Sequence, residues 1–330
     1  MNDRTLAYSN QELQVLGLSY AEGFTCAPFT AEELIREERL LGVTLPPLLV
    51  QLLQQSNGFW IEFNQFHYVD RYGRASYETI DGFRPISKDN HHAIGWHTHD
   101  MRGQIISAYD VPYYPPLEVV QHYSDEAIDP DELEFGYGDE KEDHLSDEDW
   151  MTIKHLKHMV LFAFGNHVSF GLNYYDLDAT GQPSVYFVYD DGEMFVHKLA
   201  DHFEDFISGL SFPSEDYLSY GFKDVPELAR LASELGSALG LTFVTETNEY
   251  KADLINREGH LATLYLSERN KPHLLPAYTT QLYVDSDDAT AAELVRHAVE
   301  TVSYEHIRIN DPARTRFQDY VAYMRQQSEE

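Results

Sequence analysis

The sequence predicts an α+β fold in two units. Two segments with helical apolar spacing, Thr30–Gly42 and Pro46–Gly58, open the ordered part. A cluster of short β-type runs follows at Met159–Phe164, Phe170–Tyr175, Val185–Phe187 and Met194–His197. A stretch bearing Pro213, Ser214 and Gly221 then precedes a second group of helices and strands. The chain has 330 residues, enough for one large domain or two ordinary ones. With 43% hydrophobic and 13% aromatic residues it can pack a core.

Each element has a local reason. Residues 1–29 form a mixed N-terminal extension. Thr30 and Glu33 have capping-box spacing, Leu34, Ile35 and Leu41 supply an apolar face, and Gly42 ends the helix. Pro46-Pro47 opens a second helix, where a missing amide does little harm, and Leu48, Leu49, Leu52 and Leu53 line one side of it. Asn57-Gly58 reads as its stop signal. Phe59–Gln121 is expected to hold strands and irregular connections, with Leu117–Tyr123 a strand. Met159–His197 reads as strands joined by turns at Asp178–Gly181 and Asp190–Gly192. A helix bearing Phe203, Phe206, Ile207 and Leu210 closes this unit.

The expected organisation is a first domain over residues 30–212, a linker over 213–224 and a smaller α+β domain over 225–330. In the second domain Asp224 is expected to cap a helix ending at Gly240. Short strands, a helix at Ala289–Val302, a strand at Ile307–Ile309 and a helix opened by Asp311-Pro312 follow.

Charge narrows the function classes. With 23 Lys and Arg against 56 Asp and Glu, the net charge is −33. Phosphate backbones and anionic membranes are held by Lys and Arg clusters, so nucleic acid and membrane partners are disfavoured. Thirteen acidic residues fall within 124–150, with Lys141 the one Lys or Arg there. Such a run repels itself and is expected as an exposed insertion. Its centre, Asp139, Glu140, Glu142 and Asp143, suits electrostatic steering of a basic partner. It lacks the calcium-loop spacing. Trp60, Tyr113 and Tyr114 are candidate contact aromatics, because aromatics carry interface energy; core packing is the competing role. Cys26 is the single cysteine, which excludes an internal disulfide, suits a reducing cytoplasm and reads as a small buried residue.

No P-loop, G-x-S-x-G or dinucleotide fingerprint occurs, and no cofactor is expected. Gly165-Asn166-His167 reads as a backbone bend. The most metal-like group is His91, His97 and His99, with His92 and Asp100 nearby. On a strand, His97 and His99 would share a face, and a metal-dependent hydrolase is the corresponding enzyme alternative.

Several ordered pieces resemble the SMI1/KNR4 family, also called the SUKH superfamily. They are Glu38–Pro47, Leu52-Leu53, Ser56-Asn57-Gly58, Phe162–Gly165, Tyr174–Leu177, Pro183–Tyr186 and Leu199–Ile207. The resemblance covers roughly residues 30–210. It implies a mixed sheet wrapped by helices and a noncatalytic role. In bacteria such proteins are associated with immunity to protein toxins, often nucleases, and a fungal relative regulates cell-wall synthesis through protein contacts. The implied function is therefore binding and occlusion of a basic toxin in the cytoplasm, with a regulatory scaffold as the alternative.

Overall fold

Several helices begin where the sequence offers side-chain caps. In the computed structural model, residues 8–107, 109, 118–119, 122, 145–189, 195–211, 218–246, 249–257, 259–268, 278–286, 288–308 and 316–329 are described. The chain divides into two compact units, residues 1–211 and 212–330.

The N-terminal extension belongs to the first unit. Ser9 and Glu12 form a capping box for α1 (Asn10–Leu13), and Leu13, Val15 and Leu16 are fully buried. Thr30 and Glu33 cap α2 (Ala31–Leu41), and Gly42 closes it in the left-handed conformation, as the spacing predicted. The buried face is Glu37, Leu40 and Leu41, however, and Ile35 is 65% exposed. α3 (Pro47–Gln55) buries Leu48, Leu49, Leu52 and Leu53.

The first sheet has the order β1 (Phe59–Trp60), β4 (Gly82–Phe83), β5 (Met159–Gly165), β6 (Val168–Leu177), β7 (Pro183–Tyr189), β8 (Phe195–Ala200), and every pair is antiparallel. A smaller sheet orders β3 (Ala75–Thr79), β2 (Gln65–Val69) and β9 (Leu210–Ser211). Phe162 meets Phe203 and Phe206 of α6 (Phe203–Gly209) edge-on. From the opposite face of β5, Met159 and Leu161 pack with Trp150, Ile153 and Leu156 of α5 (Asp147–Lys157). The alternation of a strand thus gives each neighbouring helix its own row of side chains.

Two expectations fail between β4 and α5. Residues 94–107 form α4 (Ile94–Ser107), not strand or irregular chain. Leu117–Tyr123 falls mostly outside the described residues, and its described positions, Glu118, Val119 and His122, are helical. The end of the acidic run is also ordered. Ser146 and Asp149 form a capping box, three acidic residues occupy the first turn of α5, and Trp150 is buried. Acidic side chains at a helix start complement its dipole, so local repulsion is offset there. The hairpin turn at Asp190–Gly192 lies outside the described residues.

Strand β4 is two residues long, and this explains why α4 is polar inside. The part of β5 beyond its reach has α4 as a neighbour. Thr98 Oγ1 accepts from the Leu161 amide at 2.9 Å. Arg102 donates to the Met159 carbonyl from Nε at 3.1 Å and from Nη2 at 2.7 Å. Buried backbone groups need partners, and here side chains of a helix provide them.

Gly165 stands where only a hydrogen fits. A Cβ there would lie 1.9 Å from the Thr79 carbonyl oxygen. Replacing Gly165 with Ala is expected to lower stability by about 2 kcal/mol, an ordinary overpacking cost against immobile backbone. A thermal midpoint equal to wild type would show that the two segments separate freely.

The second unit is one antiparallel sheet, ordered β11 (Val244–Glu246), β12 (Glu249–Asn256), β13 (Gly259–Glu268), β14 (Thr280–Asp285), β10 (Leu218–Phe222), β15 (His306–Arg308). Residues 218–222, expected within a linker, are therefore an inner strand. Leu231 and Leu235 of α7 (Leu228–Leu239) and Val295 and Val299 of α8 (Ala289–Val299) share a core with Leu264 and Leu282 of the sheet. Asp224 does not cap α7. It adopts φ +50°, and the N-cap is Glu227, without a side-chain cap bond. α9 (Phe317–Glu329) buries Phe317, Tyr320 and Val321. The Asp311-Pro312 opening lies outside the described residues.

Candidate functional site

The surface expected to contact a partner is only partly described. Asp139, Glu140, Glu142, Asp143, Tyr113 and Tyr114 lie outside the described residues. Trp60 is described and is 44% exposed. It sits on the edge strand β1, and its amide and carbonyl bond Ser19 at 3.1 and 3.0 Å. That bridge holds the neighbouring Tyr20, 74% exposed, on the same border of the sheet. Tyr20 carried no sequence signal, because its exposure follows from a single long-range bridge. A third exposed aromatic is Tyr72, on the β2–β3 turn. Asp70 accepts from the Tyr72 and Arg74 amides there, and Arg71 and Arg74 both lie 5.0 Å from the Tyr72 ring centre.

Asn57 ties three segments together behind this border. Its Nδ2 donates to the carbonyls of Ala27 at 2.8 Å and Ile86 at 2.9 Å, and its Oδ1 accepts from the Ile86 amide at 2.8 Å. Its own carbonyl accepts from the Cys26 amide at 2.7 Å. α3 in fact ends at Ser56 in extended backbone, and only Gly58 has positive φ, +85°. A Cβ on Gly58 would lie 2.5 Å from the Phe24 carbonyl oxygen. Asn57-Gly58 is thus a crosslink more than a stop signal. Cys26 is half-buried, not buried, and its sulfur accepts from Asn90 Nδ2 at 3.2 Å.

The histidine cluster is not a metal centre of the expected kind. His97 and His99 lie on α4, and residues two apart on a helix point about 200° from each other. They cannot share a face. Burial, aided by Arg84 for His97 and by Arg102 for His99, pushes both rings down to about 3. His99 is buried and bonds the Leu40 backbone. His91 is exposed, and its ring lies tilted against that of His92 with centroids 3.9 Å apart. Among the described residues no group of three or more His, Cys, Asp or Glu side chains is placed to hold a metal. Among those residues, no helix is long and apolar enough to cross a membrane.

A polar network covers the outer part of β6–β8. Asp176 accepts from Lys198 Nζ at 2.8 Å, Ser184 Oγ at 2.9 Å and Tyr186 Oη at 3.1 Å, and Lys198 holds its carboxyl below the usual range. His155 Nδ1 and Asn173 Nδ2 lie 2.7 Å apart beside it. Every named member has a protein partner, which suits a structural brace.

The architecture defines an α+β domain: an antiparallel sheet, a helix pair near its start and a short aromatic helix at its end. Residues 28–209, just over half the chain, match the model of the SMI1 / KNR4 family (SUKH-1), and the chain belongs to that family. No curated protein and no solved structure matches it.

Proposed function

We propose that this protein works by noncatalytic binding, as an immunity-type member of its family that occludes a basic, nuclease-like toxin in the cytoplasm. The family includes immunity-type proteins. The observation that carries the finer reading is the net charge of −33 on a chain with exposed aromatics at Tyr20 and Trp60. Long-range attraction speeds encounter with a basic partner, and buried aromatics supply much of the affinity once docked. In this reading Asp139, Glu140, Glu142 and Asp143 steer, and Trp60, Tyr113 and Tyr114 anchor.

The partner to test first is the product encoded beside this chain. Reversing the four carboxylates to lysine adds two charges each and moves the net charge from −33 to −25. The association rate is expected to fall at least roughly tenfold at low salt, with a flatter salt dependence. An unchanged rate removes the acidic run from the mechanism. Trp60→Ala is expected to weaken the complex by about 1–2 kcal/mol, read from the equilibrium constant. Undiminished affinity would move the contact surface away from β1.

A further inference from the structure

Arg84, directly after β4, is 4% exposed. Among the described residues no carboxylate pairs with it, and burial alone pushes its guanidinium down to about 9. Its Nη1 makes one long bond, 3.4 Å to the His92 carbonyl, and its Cζ lies 5.0 Å from the Phe164 ring centre. Among the described residues its buried Nε has no acceptor and the buried Nε2 of His97 has no partner. A buried cation with orphaned donors is costly unless something anionic completes it.

The surroundings point the same way. Burial depresses both His92 and His97 first; His91 and then Arg84 add to it at His92, Arg84 and then His92 add to it at His97, and among the described residues no carboxylate opposes it at either ring. In a chain with 56 Asp and Glu, this is a local inversion of sign. A ladder of rings leads inward from solvent: His91 on His92 at 3.9 Å, His92 on Phe24 at 4.1 Å, Phe24 on Phe164 at 4.6 Å, then Arg84. Phe24 belongs to the Ala21–Thr25 turn, which Asn90 holds through the Gly23 carbonyl at 3.0 Å.

We propose that Arg84, His92 and His97 form a receptor for a carboxylate, which enters beside the Phe24–His92 stack and completes the hydrogen bonding of the guanidinium. A planar fork of N–H donors matches a carboxylate in two-point contact. The carboxylate can belong to a free small acid or to an Asp or Glu side chain of a bound polypeptide. The site is independent of the toxin-occlusion reading.

The test follows the histidine ring signals of the full chain by NMR at pH 7, during titration with sodium acetate or with a blocked glutamate tripeptide. Sodium chloride at equal ionic strength is the reference. The rings of His92 and His97 are expected to shift saturably with both carboxylates and not with chloride. Equal midpoints for acetate and tripeptide point to a free acid, and a tighter tripeptide points to a side chain. Arg84→Gln is expected to abolish saturation, and His92→Gln, at a half-exposed position, to weaken it at least fivefold if the first variant does not fold. Linear shifts, shifts matched by chloride, or unaltered saturation in the variant that folds would overturn the site. So would a direct Arg84–His97 hydrogen bond, seen as a ring shift fixed at all acetate concentrations.

Discussion

Lowering the pH from 6.5 to 4.5 is expected to destabilise the first unit by several kcal/mol. His97 and His99 have an ordinary value of 6.5 when unfolded and about 3 in the fold. Below pH 6.5 the unfolded chain takes up protons that the native state refuses. Stability therefore falls as pH falls, and the loss continues until the folded values are reached near 3. Each histidine contributes on the order of 1 kcal/mol per pH unit across that window. Depressed carboxylates such as Glu33 and Asp176 act in the same direction, but only once the pH falls towards about 4. Protonating surface carboxylates also relieves the self-repulsion of a chain at −33. The decisive comparison is thus between wild type and variants. Urea midpoints at pH 6.5, 5.5 and 4.5 should show a shallower decline for His99→Gln, and a shallower one again when His97→Gln is added. Parallel declines in all three proteins would assign the acid sensitivity to other groups.

Asn57→Ala is expected to cost about 3–5 kcal/mol, because it strands the Ile86 amide and the carbonyls of Ala27 and Ile86 at a buried position. Asn57→Asp keeps the acceptor but loses both donors and buries a charge, so it should be no milder. Ser56→Ala, at the adjacent position, is the control and should stay within about 1 kcal/mol of wild type, the ordinary worth of one hydrogen bond. Thermal denaturation of the three variants checks this. A near-native midpoint for Asn57→Ala would mean that water takes over all three bonds.

Much of the fold was legible because its signals are local. The Thr30–Glu33 box, the Pro46-Pro47 start, the left-handed Gly42 and Gly240, and the strands β5 to β8 all follow from neighbouring residues. α4 was not legible. His97-Thr98-His99 alternates like a strand, and the helix has polar residues, Thr98, His99 and Arg102, in its buried interior. Thr98 and Arg102 are there to satisfy β5, and nothing in the sequence announces that β4 stops after two residues. Asp224 failed for a similar reason: a capping residue type stood near a helix start, but the backbone had turned left-handed first. Of the proposed contact residues only Trp60 lies among the described residues, and its exposure on an edge strand is what an apolar residue after Asn57-Gly58 could suggest. The role of Asn57 was hidden because its three partners lie about 30 residues away on both sides.

The short β4 has one more effect. A sheet with an open run of amides and carbonyls invites another chain to pair along it. Along Met159–Leu161 that invitation is withdrawn, since Thr98 and Arg102 already occupy the amide and the carbonyl. The helix acts as a plug in the lattice of strands. Any intruding polypeptide must evict it, and, with β1 bridged by Ser19, recruitment of a foreign strand is steered instead to the outer rim at β8.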